Sequence, residues 1–268
     1  MTPGPFRQYR AVFSARFRTL LQYRAAAIAG FGTQLFWGLI RVMIFEAFYL
    51  ASTAPQPMAL SDVVTYVWLG QATLALTLGG VDQELQQMVR GGTVAYELLR
   101  PVDLYAFWYS RSLANRLTPM LLRAVPMFVL AGFFLGLGAP ASPAAAAGWI
   151  TATAAAALLA AALWTVMSIS LLWTLAGDGV SRFLPAVIYL GSGMAVPLPL
   201  LPAWLRPWVE ALPFRGLADT PFRLYTGHLP PDQLPGVLLH QLAWTAALAL
   251  LGRWLLAVAQ RRLVVQGG

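Results

Sequence analysis

The chain has 268 residues, of which 59% are hydrophobic and only 10% charged, whereas an ordinary soluble domain carries about 25% charged residues. Its mean hydropathy of +0.65 and net charge of +8 therefore describe a membrane protein, with the basic residues read as topological markers and no nucleic-acid partner implied. All 18 basic residues are arginine, so a Walker-type phosphate loop, which needs a lysine, is excluded, and the absence of cysteine excludes disulfides and thiolate metal sites.

The chain opens with an arginine-rich lead, residues 1–24. Phe6, Tyr9, Phe13, Phe17 and Leu20 recur at steps of three and four, with Arg7 and Arg18 on the opposite face. The spacing predicts an amphipathic helix lying in the inner headgroup layer, its arginines meeting anionic lipid. The apolar run that follows is too long for the core of a cleavable signal peptide.

The first crossing is predicted from Ala25 to Leu50. It contains Arg41 and Glu46, which lie about 140° apart around a helix and are poor partners for one another. An ionisable side chain at that depth needs a polar partner or a wet cavity. Either residue lines a polar path through the bundle or pairs across an interface between subunits; the competing reading is a snorkelling or structural pair. The second crossing is expected over Asp62–Val81, where Gln71 is a further polar point.

Residues 82–116 are too apolar for a loose linker and too charged to span. A short helix over Asp82–Val89 should break at Gly91–Gly92, and a second over Val94–Arg100 should stop at Pro101, because the residue before proline avoids helical geometry. Asp103 is placed to cap the next helix. The result is a compact knob on the inner face, placed to receive a push from a soluble partner.

From Ala124 to Gly177 there are fifty-four consecutive residues without an acidic, basic or histidine side chain. A helical crossing needs roughly 20, so this run holds two crossings, Leu117–Leu137 and Ala144–Ala176, turning at GLGAPASP (Gly136–Pro143). Arg123 falls in the inner half of the first of them. The small residues of Ala154–Ala162 should permit close helix packing. A fifth crossing is predicted over Phe183–Leu201 and a sixth over Leu234–Val258. Between them, residues 202–233 carry Pro202, Pro207 and Pro213 with Trp204 and Trp208, which predicts a broken span end and a short interfacial helix at Ala203–Leu212.

The expected fold is thus an all-α, six-span polytopic protein forming one transmembrane domain over residues 1–268. With the N-terminus inside, thirteen of the eighteen arginines fall on inner segments and only Arg206, Arg215 and Arg223 on outer ones. Both termini are therefore expected in the cytoplasm.

The string VRGGTVAYELLRPVDLY (Val89–Tyr105) resembles the signature that follows the second span in ABC-2 family permeases, the membrane subunits of ATP-binding-cassette exporters. The segment Pro197–Gly227 is similar to that family's short outer helices before the last span. One departure is that the acidic residue common just before the first glycine is replaced by Val89 and Arg90, leaving Glu84 as the nearest acidic residue upstream.

The resemblance implies a permease without its own ATPase site or cofactor, ATP being bound by a partner subunit. It implies export of a hydrophobic, cationic or lipid-like molecule across a prokaryotic plasma membrane. The partners implied are soluble ABC ATPase subunits and a second permease, identical or homologous, as in the subgroup with two unequal permeases and one ATPase. It assigns Met88–Pro101 to a coupling helix, with Arg90, Tyr96 and Glu97 exposed for docking and Leu98, Leu99 and Pro101 fixing its angle. Glu84, Gly91, Gly92, Thr93 and Arg100 complete that region. A secondary or passive transporter is the alternative; it needs paired protonatable residues within the spans, and Glu46 is the one candidate. An intramembrane enzyme lacks catalytic residues.

Overall fold

The computed structural model describes residues 6–174 and 178–262, and the described residues are all-helical. The lead helix α1 (Arg7–Leu21) buries none of its residues fully. It lies along the first half of α6 (Leu104–Phe134), held by an Arg16 Nε–Asn115 Oδ1 hydrogen bond of 2.8 Å. Its aromatic stripe forms as expected, with Phe13 stacked on Phe17.

Among the described residues, four helical segments are long and apolar enough to cross a membrane: Ala25–Ala51, Leu104–Phe134, Pro143–Thr174 and Pro231–Arg261. The first lies within α2 (Arg24–Ala51), which leaves Phe36, Trp37, Met43, Ile44 and Phe48 exposed. The third consists of α7 (Pro143–Ile169) and, after a break at Ser170, α8 (Leu171–Thr174); the last two residues expected in that span lie outside the described residues. Ser142 caps α7 by accepting from the Ala145 N–H at 3.0 Å. The fourth ends in α12 (Leu234–Arg262), a turn longer than expected.

α7 is the central post. Its alanines from Ala155 to Ala162 are almost entirely buried, and their small size lets α12, α6 and α11 (Asp219–Thr226) approach it closely. α3 (Leu60–Thr77) is also internal, packed among α2, α6, α7 and α11. Its buried Thr65, Gln71, Thr73 and Thr77 lower its hydropathy. Protein rather than lipid solvates the first of them, as the Thr65 hydroxyl accepts from the Gly138 N–H at 2.9 Å.

Two expected boundaries are corrected. α3 stops at Thr77 rather than Val81, because Leu78 turns extended ahead of Gly79–Gly80. α6 starts at Leu104, not Leu117, and runs unbroken through Pro119 and Pro126. The arginines that argued for a loop before Leu117 find partners inside the protein. Arg111 pairs with Asp82, and Arg116 reaches the Leu78 carbonyl at the end of α3 while stacking 4.8 Å over Trp164.

The fifth expected crossing, Phe183–Leu201, is only half helix. α9 (Asp178–Gly191) has 14 residues, about 21 Å at 1.5 Å per residue, which falls short of a hydrocarbon core of about 30 Å. The chain then turns at Gly193 (φ +82) and continues irregularly to a 3₁₀ turn at Leu198–Leu200. The expected interfacial helix shrinks to α10 (Arg206–Ala211), followed by a 3₁₀ turn at Pro213–Leu217 and the buried α11.

Candidate functional site

At one end of the bundle, the starts of α6 and the end of α12 meet the knob formed by α4 (Gln83–Arg90) and α5 (Val94–Leu98). The local sequence dictates this shape. Asp82 caps α4 by accepting from the Glu84 and Leu85 N–H groups, both at 3.1 Å. Gly92 turns the chain at φ +73, a backbone state that favours glycine. Asp103 then caps α6 through the Ala106 N–H at 3.0 Å.

Buried charges anchor the knob. Glu97 is only 5% exposed. Its Oε2 accepts from Trp108 Nε1 at 2.7 Å, and its Oε1 lies 3.6 Å from Arg111 Nη1 and 3.9 Å from Arg100 Nη2. Arg111 Nε lies 2.8 Å from Asp82 Oδ2, and the Asp82 N–H donates to Ser168 Oγ on α7 at 3.0 Å. Leu85, Val94, Trp108, Ile169 and Leu256 pack around this network. Arg253 of α12 pairs with Asp103 at 2.7 Å, and Arg16 of α1 pairs with Glu84 at 3.2 Å.

The expectation that Glu97 is exposed is therefore corrected. As an acidic residue in a short loop it reads as a surface group, but its partners are Trp108 and Arg111 on the next helix. The exposed face of the knob consists of Glu84, Arg90, Gly91, Gly92, Thr93, Tyr96, Leu99, Arg100 and Pro101, with Met88 half-buried at its edge. Tyr96 is 76% and Leu99 80% exposed, side by side on a segment whose other face is pinned. Arg100 is held over the Phe107 ring, 5.3 Å from its centre.

The intramembrane polar residues do not form one cluster. Arg123 lies against α2 at Gly30, where an added Cβ would sit 2.5 Å from its guanidinium. Arg41 lies further along α2, about 16 Å away at 1.5 Å per residue, and donates from Nη2 to the Ala195 carbonyl at 3.3 Å. Gln71 is buried beside Gly38, and Glu46 faces outward from α2. Gln34 Oε1, Gln71 Oε1 and Arg41 Nη1 are buried without a hydrogen-bond partner among the described residues.

A second polar centre, not expected from the sequence, lies at the opposite end of the bundle. Asp219, at the start of α11, accepts at Oδ1 from the Tyr66 hydroxyl at 3.0 Å and from the Leu198 N–H at 3.1 Å. Its Oδ2 lies 3.4 Å from Arg223 Nη1, which also approaches Glu210 of α10 at 3.8 Å. The Asp219 N–H donates to the Ser192 carbonyl at 3.0 Å. Burial pushes this carboxyl above the usual range against the opposing pull of Arg223, Leu198 and Tyr66. One side chain thus closes the irregular stretch after α9 onto α3 and α11. Its sequence signal is the one acidic residue in the stretch Pro213–Tyr225.

No curated protein matches the chain significantly. The sequence profile of the ABC-2 family transporter proteins matches residues 29–267, nearly the whole of the folded bundle, and the chain belongs to that family of membrane transport proteins.

Proposed function

We propose that this protein is the membrane-spanning permease subunit of an ATP-binding-cassette exporter and works with separate soluble ATPase subunits and a second permease, identical or homologous. In this reading the α4–α5 knob faces the cytoplasm, together with α1 and the end of α12, in a prokaryotic plasma membrane. α3 and α9 complete six passes: α3 is solvated by its neighbours, and α9 is extended by the irregular stretch to Leu201. The export of a hydrophobic, cationic or lipid-like molecule, and the subgroup with two unequal permeases, rest on the sequence resemblance.

The observation that carries the reading, beside the family membership, is the knob itself. Tyr96, on the five-residue α5, and Leu99, at its C-cap, present an apolar surface to solvent on a mount clamped from behind by buried ion pairs. An exposed aromatic–aliphatic pair on a rigid mount suits docking into a partner's pocket. The same mount passes a displacement to α6 through Trp108 and Arg111 and to α7 through Ser168. Substrate specificity in the bundle falls to Arg41, Gln71, Arg123 and Glu46, the polar side chains along α2 and its neighbours.

The test is co-purification. Tagged protein extracted in mild detergent should bring down a soluble P-loop ATPase, and a photo-crosslinker replacing Tyr96 should join the two chains. Loss of the ATPase in Leu99→Asp, with the bundle still folded, is the expected companion result. Absence of any ATPase after crosslinking at Tyr96 contradicts the proposal.

A further inference from the structure

Between α11, the Pro213–Leu217 turn and the start of α12 lies a cavity of about 350 Å³, near the lower end of the range for small-molecule sites. Its polar lining is Arg215, Asp219, Thr220, Arg223, Gln233 and His240, with Asp219 turned to Arg223, Tyr66 and Leu198; Leu229, Gly236 and Val237 complete the wall. The two arginines differ in their surroundings. Arg223 is matched by Asp219 and Glu210, whereas Arg215 forms no ion pair among the described residues.

Arg215 contacts instead a neutral group. His240 Nε2 lies 3.2 Å from the Leu212 carbonyl, which can only accept, so Nε2 carries the proton. Nδ1 is then left to accept from Arg215 Nη2, 3.5 Å away. The guanidinium charge is aligned without being neutralised. Arg215 Nε and Arg223 Nε both lack an acceptor among the described residues. Paired guanidinium groups beside an amide match a tetrahedral oxyanion, which offers several acceptors at once.

The surroundings fix the depth. α10 supplies Glu210 to Arg223 and exposes Trp208, and the turn before it exposes Trp204, side chains that favour the headgroup layer of a bilayer. The cavity therefore opens at the level where lipid phosphates lie, with an apolar wall for whatever the phosphate carries. We propose that this cavity binds a phosphoryl anion, with Arg215 as its principal charge and Arg223 and Gln233 as supporting donors. The anion comes either from a phospholipid headgroup or from free phosphate. The site is independent of the exporter reading, since neither ATP nor an ATPase enters its test.

Purified protein in dodecyl maltoside at constant ionic strength is titrated with inorganic phosphate and, separately, with dihexanoyl-phosphatidylglycerol, and its thermal unfolding midpoint is followed; a ligand that binds only the folded state raises it. Two variants are compared. Arg215→Gln removes the unmatched charge and should weaken apparent affinity about tenfold or more, the ordinary worth of a charge-assisted hydrogen bond. Gly236→Phe fills the cavity, because a Cβ there meets nothing within 4 Å, and it keeps Arg215 in place should the first variant fold poorly.

Stabilisation by both ligands, in competition, assigns the site to free anion. Stabilisation by the lipid alone assigns it to the headgroup. No stabilisation by either, or an undiminished response in both variants, overturns the proposal.

Discussion

Glu97 shows how much one buried charge decides in this protein. Its carboxylate faces Trp108 and Arg111 in a site closed to water; removing it leaves Arg111 with Asp82 as its remaining acid but strands the buried Trp108 N–H, at a cost of about 1–3 kcal/mol. Glu97→Ala should therefore lower the unfolding midpoint in detergent sharply, while Glu97→Gln, which still accepts from Trp108, should lose less. Equal midpoints for the two variants would place the carboxylate outside the fold's support. Asp219 follows the same logic at the far end. Asp219→Ala strands the Leu198 N–H and the Tyr66 hydroxyl, at a cost of about 1–3 kcal/mol for each unmet group. Asp219→Asn keeps an oxygen for both and loses mainly the contact to Arg223. Thermal unfolding should rank the wild type above Asn and Asn above Ala. Gly193→Ala should destabilise independently, since its φ of +82 disfavours any other residue and a Cβ would lie 2.5 Å from the Tyr66 hydroxyl.

Elements differ in how openly their sequences declare them. The long apolar helices were legible because a bilayer demands about 20 apolar residues per crossing, and nothing about their neighbours changes that count. The cap at Asp103 and the break at Gly91–Gly92 were legible for a similar reason, being local backbone chemistry. The start of α6 was hidden, because Arg111 and Arg116 are matched by Asp82 and by the end of α3, partners known only once the chain is folded. α11 was hidden as well. It falls in the segment read as short outer helices at the interface, yet the helix is buried and its acid is satisfied from α3. The knob is the element on which function turns. Tyr96→Ala together with Leu99→Ala removes only exposed surface, so the unfolding midpoint should stay within about 2 °C of the wild type, while ATP-driven transport in vesicles should fall at least tenfold. Full transport in that double variant would show that a partner docks elsewhere.

The whole molecule has two ends with different chemistry, joined by antiparallel helices. One end carries α1, the knob and the close of α12, tied by Arg16–Glu84, Arg111–Asp82 and Arg253–Asp103. The other carries α10, α11 and the cavity beside Arg215. α7 touches both, through Ser168 near one end and through Gln241, which donates to the Ala152 and Gly216 carbonyls at 2.9 and 2.7 Å, near the other. An exporter of the proposed kind requires the knob end in the cytoplasm, where an ATPase can reach it. The chain has no cysteine, so a single Tyr96→Cys variant reports its own side of the membrane. A membrane-impermeant maleimide should leave that cysteine unlabelled on intact cells and label it in inverted vesicles, with protection when the ATPase is bound. Labelling on intact cells would contradict the account.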